Sequence, residues 1–135
     1  MDRLKTNESR EKATFLATLN FAAKLDGVTQ DEITFIDEIS EDFQASKDEL
    51  DVAKKERDEN AILALLPNIT TEKTKKELLR ELFFLGYADG NLSDNEVIFL
   101  SKVGNKLGID DETIERISEW VIRGIEWEEE GQELF

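Results

Sequence analysis

The stretch that decides the fold runs Leu82-Phe-Phe-Leu-Gly-Tyr-Ala-Asp-Gly-Asn-Leu-Ser-Asp-Asn-Glu-Val-Ile-Phe-Leu100. An apolar run ends at Asp89-Gly90, a polar turn follows, and an amphipathic pattern begins after Ser93. Glycine adopts the left-handed conformation that ends many helices, and a serine followed three residues later by glutamate, as at Ser93 and Glu96, caps the start of a new helix. The stretch therefore predicts two helices joined by a tight turn.

A shorter version of this pattern lies upstream, between residues 19 and 36. Asp26-Gly27 ends the apolar run there, and Thr29 with Glu32 repeats the capping pattern. Equivalent residues are 63 positions apart before the turn and 64 positions apart after it, so the first turn is one residue shorter. A unit that occurs twice and cannot bury its apolar face alone predicts two repeats packed face to face.

Apolar residues spaced three and four positions apart predict the other helices. The helix that follows Thr70 or Thr71 is apolar over much of its circumference, so we expect it to be the central, most buried helix. Residues 1 to about 9 are polar and are expected to fray. The predicted core-facing positions are Phe15, Leu16, Leu19, Ala22 and Ala23, then Ile33, Ile36, Ile39 and Phe43, then Val97, Leu100, Val103 and Leu107, and finally Ile114, Ile117, Val121 and Ile125.

The fold class that follows is an all-α, single-domain bundle of about six to eight helices. It is built from two helix-turn-helix-helix repeats with approximate twofold symmetry. Repeat one covers about residues 10–57, a linker helix about 59–67, and repeat two about 71–125. An acidic, aromatic C-terminal segment covers residues 126–135.

Composition narrows the classes of function. The 135 residues carry a net charge of −15, which opposes binding to nucleic acids and anionic membranes and favours basic proteins or divalent cations. The chain has no Cys and no His, which excludes thiol nucleophiles, Ser-His triads and the usual zinc sites and leaves oxygen ligands for Ca²⁺ or Mg²⁺. No apolar run is long enough to span a bilayer and no signal-peptide pattern is present, so we expect a cytoplasmic protein without membrane insertion.

Side chains that carry oxygen gather in the turn of the second repeat. Asp89, Asn91 and Ser93 occupy alternate positions, like the first ligands of a calcium loop. The glycine position of an EF-hand, however, holds Asp94, and its bidentate-glutamate position holds Leu100. The turn is therefore not an EF-hand.

Two interpretations of this turn remain open. In the first, Asp89 makes an Asx turn and Ser93 with Glu96 caps the next helix, so that no ligand is needed. In the second, Asp89 and Glu96 bind Ca²⁺ or Mg²⁺ weakly, and Asp26 of the facing repeat is a further ligand.

Charged residues cluster at three places. Asp37, Glu38, Glu41 and Asp42 form an acidic face, which is either solvated helix surface or a docking face for a basic partner. The basic clusters are interpreted as balancing nearby acidic helices through i,i+4 pairs and not as a nucleic-acid site. Their residues are Lys54, Lys55 and Arg57, and Lys73, Lys75, Lys76 and Arg80.

Large apolar residues also occur near the C-terminus, at Trp120, Trp127, Leu134 and Phe135. In one interpretation both tryptophans cover the core and the tail is loose. In the other, the segment is an aromatic-acidic helix that docks on a partner or on a second copy of the chain, forming a homodimer.

Residues 88–96, with the sequence Ala-Asp-Gly-Asn-Leu-Ser-Asp-Asn-Glu, are followed by Val-Ile-Phe-Leu and later by a Gly-Ile-Asp-Asp helix start. With the upstream copy, this pattern resembles the TerB-like family over roughly residues 10–125. That family includes the tellurite-resistance TerB domain and the N-terminal cytoplasmic part of a membrane-anchored DnaJ-like co-chaperone. In the first copy, the shorter turn and Leu25 in place of Ala88 depart from the pattern.

The resemblance implies an all-α fold, no established enzymatic activity, and association with stress-response or membrane-linked complexes. It also implies an acidic metal-binding cluster, whose matching positions are Asp89 and Glu96 in the second repeat and Asp26 and Glu32 in the first. Asn91 lies within the same signature.

The predicted function is that of a non-enzymatic adaptor or sensor with a protein partner, in a stress-response or envelope-linked complex, with a divalent cation as a candidate ligand. The alternative is a structural or regulatory interaction domain with no metal. A carboxylate-based enzyme is the third hypothesis, and paired carboxylates have no diagnostic weight for it in so acidic a chain.

Overall fold

The computed structural model describes residue 4 and residues 6–25, 30–87 and 92–135. These residues form seven α-helices, with a short 3₁₀ helix at Leu66–Asn68 and no strand, which confirms the predicted all-α bundle. Across these ranges, no helix combines the length and the apolar character that crossing a bilayer requires. The helices are α1 (Asn7–Ala23), α2 (Gln30–Asp42), α3 (Lys47–Lys54), α4 (Glu59–Leu65), α5 (Glu72–Tyr87), α6 (Asp94–Leu107) and α7 (Asp111–Leu134).

The helices begin and end where local side chains satisfy their backbone groups. Ser46 caps α3 and Ser93 caps α6 through complete capping boxes, and the Asp110 carboxylate caps α7. Gly108 directly follows Leu107, the last apolar residue of α6, and ends the helix in the left-handed conformation, with φ of 76°. The predicted cap at Thr29 lies outside the described residues.

The helices pair in the same order in the two halves of the chain. In the first half α1 packs against α2 and α3, and in the second half α5 packs against α6 and α7. Contacts between α1 and α5 join the halves. This pairing supports two helix-turn-helix-helix units, while their twofold symmetry and exact boundaries stay predictions.

The central helix is α1, so the prediction that α5 is central and most buried is wrong. Nine residues of α1 are buried, against seven of α5, and α1 packs against α2, α3, α4 and α5. Small side chains such as Ala13 and Ala17 allow neighbouring helices to approach α1 closely. The buried Thr18 hydroxyl donates to the Thr14 carbonyl oxygen at 2.8 Å, which satisfies it without a partner from another helix.

Two predicted core positions face the solvent. Ile33 is 42% exposed and Val97 is 47% exposed. Each directly follows the glutamate of a capping pattern, and successive helical residues point about 100° apart. Glu32 is buried and Glu96 is half-buried, so the glutamate takes the inward position and the next residue points outward. In α6 it is Phe99, not the expected Val97, that lies in the core, where it is 1% exposed.

The N-terminal residues that the structure describes are not frayed, contrary to the prediction. Leu4 is 5% exposed and belongs to the buried apolar residues. The Thr6 side chain accepts a hydrogen bond from the Ser9 backbone N–H at 3.0 Å and so caps α1. The described N-terminal residues are therefore held by one buried leucine and one helix cap.

A buried carboxylate connects α1 to α3. Glu49 accepts hydrogen bonds from the Ser46 backbone N–H at 2.8 Å and from the Ser9 hydroxyl at 2.7 Å, and its carboxylate lies 3.5 Å from Lys12 Nζ. Burial by itself raises the pKa of Glu49, but the hydrogen bonds and the Lys12 charge together hold the pKa below its ordinary value of 4.5. Ionised Glu49 therefore stabilises the folded state at neutral pH.

Replacing this carboxylate tests the connection. Glu49→Ala is expected to lower the free energy of unfolding at neutral pH by about 1–3 kcal/mol, because it removes a helix cap and the partner of Ser9 and Lys12. Since folding lowers the pKa of Glu49, its contribution is present above 4.5 and is lost as the pH falls through the lower folded-state value.

Urea denaturation at neutral pH and at about pH 3 measures both effects. Glu133→Ala, on the exposed end of α7, is the control. Equal unfolding midpoints for Glu49→Ala and the control at neutral pH would contradict the prediction.

Candidate functional site

The predicted ion-binding residues fall partly outside the described part of the chain. Asp26, Asp89 and Asn91 are not among the described residues. Glu32 and Glu96 are described and lie in the first turns of α2 and α6. Within the described ranges, no three acidic side chains lie close enough together to hold a metal ion. Metal binding therefore stays a prediction.

Glu96 completes the helix cap that the sequence predicts at the start of α6. The Ser93 backbone N–H donates to Glu96 Oε1 at 3.1 Å, and the Glu96 backbone N–H donates to Ser93 Oγ at 3.1 Å. A Cβ atom at Gly86 of α5 would overlap the Leu92 side chain and would lie 3.1 Å from Glu96 Oε2. The missing side chain at Gly86 therefore makes room for the cap against α5. The equivalent residue of the first repeat is Ala23.

The predicted acidic face lies on α2. Asp37, Glu38 and Glu41 are all exposed there. Exposure of three carboxylates on one short helix is compatible with a solvated surface and with docking of a basic partner. That docking role stays a prediction.

The C-terminal residues form a helix and not a loose tail. α7 continues to Leu134, while Ile125 is its last apolar residue that packs against the core. Trp120 is 53% exposed and Trp127 is 77% exposed, so the prediction that both tryptophans cover the core is wrong. Phe135 is exposed at the end of the helix. Residues 126–134 are called the α7 overhang below.

A groove of about 830 Å³ lies between α5 and α7. The groove was not predicted from the sequence. Two acidic side chains, Glu77 and Glu119, and five basic side chains line it. The basic residues are Lys73, Lys76, Arg80, Arg116 and Arg123.

Most of the groove cations have no acidic partner. Arg80 lies 2.8 Å from Glu81 and 3.7 Å from Glu77. The other four basic side chains form no ion pair with any carboxylate of the described residues. The groove is therefore an electropositive region in a chain whose net charge is −15.

One end of the groove lies at the start of α7. There the Asp110 carboxylate accepts a hydrogen bond from the Thr113 backbone N–H at 2.7 Å. Hydrogen bonds from the Thr113 side chain and backbone lower the pKa of Asp110 below its ordinary value of 3.8, and the nearby Lys76 charge lowers it further. Asp110 therefore stays ionised and offsets part of the Lys76 charge.

The groove also has an apolar part. Ile117 is half-buried and packs against the core. The ring of Trp120 meets Phe84 edge to face, with centroids 6.3 Å apart, so one side of the indole is held while half of its surface stays exposed. The groove thus presents cations beside a partly exposed aromatic ring, which suits a ligand that is both acidic and apolar.

The sequence contained a signal for this groove. Lys73, Lys76 and Arg80 on α5, like Arg116, Trp120 and Arg123 on α7, are spaced three and four residues apart and so share a helix face. Which faces meet depends on the pairing of α5 with α7, which no local pattern shows. The i,i+4 pairing expected for the basic residues is wrong here: the ion pairs observed within α5 are i,i+3, between Lys75 and Glu72 and between Arg80 and Glu77, and i,i+1, between Arg80 and Glu81.

Fold and site together define an all-helical domain with a charged groove. A family model described as "Tellurite resistance protein TerB" matches residues 10–119. Because the match covers most of the chain, the chain belongs to the TerB family, in agreement with the resemblance seen in the sequence. No curated protein and no solved structure matches it. TerB domains are in general non-enzymatic helical domains.

Two arginines of the groove are expected to differ in their effect on stability. Arg116→Gln should change the free energy of unfolding by less than about 0.5 kcal/mol, because it removes no ion pair. Arg80→Gln should lower it by about 1–2 kcal/mol, because Glu81 is 9% exposed and loses its charged partner. Urea denaturation of both variants measures the difference. A cost for Arg116→Gln as large as that for Arg80→Gln would show that Arg116 has a structural role.

Proposed function

We propose that this chain is a non-enzymatic binding module of a tellurite-resistance-like stress response, which acts as an adaptor or sensor in the cytoplasm. Its groove between α5 and α7 accepts an acidic, partly apolar segment of a protein partner. Membership of the TerB family supports the class of module, and the chemistry of the groove supports the class of ligand.

The observation that carries the proposal is the set of unpaired cations. The chain has 32 acidic and 17 basic residues, so carboxylates are abundant. Lys73, Arg116 and Arg123 nevertheless line one groove with no described acidic partner. Cations that are already placed beside an apolar surface bind carboxylates with little rearrangement.

The groove favours an acidic peptide over a nucleic acid. Glu77 and Glu119 interrupt its basic lining, and the net charge of −15 repels a long polyanion. A short acidic segment carries few charges and also supplies apolar side chains for Ile117 and Trp120. The envelope-linked complex remains an alternative setting for the same binding activity.

A divalent cation is a second candidate ligand. The Glu96 carboxylate is oriented by its hydrogen bond from Ser93, and Glu32 occupies the equivalent position in the first repeat. The candidate ligands, Asp26, Glu32, Asp89, Asn91 and Glu96, all offer oxygen, which fits Ca²⁺ or Mg²⁺. In this proposal the cation adjusts the turn between two helices and takes part in no chemical step.

The acidic face of α2 is a further candidate surface. Asp37, Glu38 and Glu41 are exposed and suit a basic partner. A module with one acidic face and one basic groove would connect two partners of opposite charge, which is what an adaptor requires.

Affinity capture from the native host tests the groove. The wild-type chain is expected to retain proteins that the double variant Arg116→Glu/Arg123→Glu loses, because reversing both charges repels an acidic segment. Capture is compared between cells grown with and without tellurite. The control is Lys54→Glu/Lys55→Glu, which makes the same charge change at exposed positions near the end of α3. Identical protein sets for the groove variant and the control would contradict the proposal.

Calorimetric titration with Ca²⁺ and with Mg²⁺ tests the second ligand. Glu96→Gln keeps an oxygen that can accept the Ser93 N–H but removes the charge, so it is expected to weaken cation binding by about tenfold or more. Glu133→Gln, on the exposed end of α7, should bind as the wild type does. Absence of binding to the wild-type chain at millimolar cation would contradict the metal proposal and leave the groove proposal standing.

A further inference from the structure

We propose that the acidic segment that fills the groove is the α7 overhang of a second copy of this chain, so that two copies form an antiparallel, symmetric dimer. This inference rests on the proposed role of the groove as a site for an acidic, partly apolar segment. The dimer inference adds the identity of one segment that occupies the groove.

The overhang has the composition that the groove requires. It contains five glutamates and no basic residue. Trp127 is 77% exposed and Leu134 is 69% exposed, so the overhang also presents a large apolar surface to solvent. Burying such side chains against another surface is favourable, because it removes apolar area from water. Charge and apolar surface thus complement those of the groove.

The overhang cannot fill the groove of its own chain. α7 is a continuous helix as far as Leu134, and its residues 113–123 line the groove. A straight helix carries its C-terminal end away from its own N-terminal half. An occupant with this sequence must therefore come from another copy.

One stripe of α7 links the groove to the overhang. Its residues are spaced four, three, four, three and four positions apart, which is the repeat of two helices that pack along a common seam. The groove half of the stripe is basic, while the overhang half is acidic and apolar. The residues are Arg116, Trp120, Arg123, Trp127, Glu130 and Leu134.

Antiparallel pairing brings the two halves of this stripe together. When two α7 helices cross at residue 125, Arg123 of one copy faces Trp127 of the other, and Glu130 lies between Arg116 and Arg123. These contacts pair a cation with an aromatic face and a carboxylate with two guanidinium groups. Parallel pairing would instead place Arg116 against Arg116 and Glu130 against Glu130, which like charges oppose.

The groove and the α7 overhang have similar lengths. At 1.5 Å per residue, the groove spans roughly 15 Å of α7 between residues 113 and 123, and the overhang spans roughly 12 Å between residues 126 and 134. Each overhang therefore fits within the groove of the other copy. Both grooves are filled at once, so the assembly closes at two chains and does not grow into a filament.

A charge-swap experiment on the full chain tests the dimer. Arg116→Glu/Arg123→Glu reverses the groove, and Glu126→Lys/Glu130→Lys reverses the overhang near the stripe. Each variant alone is expected to raise the dimer dissociation constant by about tenfold or more, because like charges then face each other along the stripe. An equimolar mixture should form a heterodimer, since each groove again meets an overhang of opposite charge.

Sedimentation velocity measures the masses, and circular dichroism confirms that each exposed-site variant is folded. The control is Glu128→Lys/Glu129→Lys, which changes the same charge on the sides of the overhang away from the stripe and should dimerise like the wild type. Salt should weaken the wild-type dimer, because part of the attraction is electrostatic.

Two results would overturn the inference: a wild-type chain that stays monomeric up to about 1 mM, or a mixture of the two swap variants that shows no heterodimer. A monomeric chain whose groove variant still loses captured host proteins would leave the adaptor proposal intact. A salt-sensitive dimer rescued by the swap, with no host protein lost from the groove variant, would support the dimer and contradict the adaptor role.

Discussion

The burial of α1 is the constraint on which the rest of this structure depends. A helix that neighbours surround must satisfy its polar groups itself or receive partners from the elements that pack on it. Thr18 donates to the carbonyl of Thr14, and the Thr14 hydroxyl accepts a hydrogen bond from Asn68 Nδ2 at 3.1 Å. The small alanine and threonine side chains of α1 therefore allow α5 to pack directly on it. The hydrogen bonds of Thr14 and Thr18 satisfy the buried threonine hydroxyls.

The position of α5 on α1 in turn fixes one wall of the groove. The other wall, α7, is held against α5 by packing and by polar contacts such as that between Tyr87 and Ser118, whose hydroxyl oxygens are 3.4 Å apart. Phe84 adds the contact with Trp120. Because these contacts hold α7 in place, Lys73, Arg116 and Arg123 are not needed as salt-bridge partners between the helices. They remain available to a ligand in a chain that is rich in carboxylates.

Local features of the fold were predictable because their causes lie within a few residues. The capping boxes at Ser46 and Ser93 and the terminating Gly108 each depend on a short pattern. The inward positions of Glu32 and Glu96 were not predicted, because hydrophobic periodicity cannot show that a capping carboxylate takes the core-facing position of a first turn.

The groove was not predicted, and the sequence left the conformation of the overhang open, for two other reasons. The groove arises from two helices whose lining residues lie about forty positions apart in the chain, so no local spacing shows that they meet. Of the two interpretations of the C-terminal segment, the loose tail is wrong, although the apolar stripe that meets the core does stop at Ile125. A buried apolar stripe indicates only which residues of a helix contact the core. The helix itself can continue beyond the stripe, as far as its residues favour a helical backbone.

Gly86 limits which residue α5 can carry at this position. Leu92 and Glu96 pack into the space that a side chain at Gly86 would occupy, while the first repeat carries Ala23 at the equivalent position. Alanine at position 86 would place its Cβ atom against the Leu92 side chain, which would then have to move. The small residue that suits the end of α1 therefore cannot be exchanged into α5 without moving the residue that precedes the Ser93 cap.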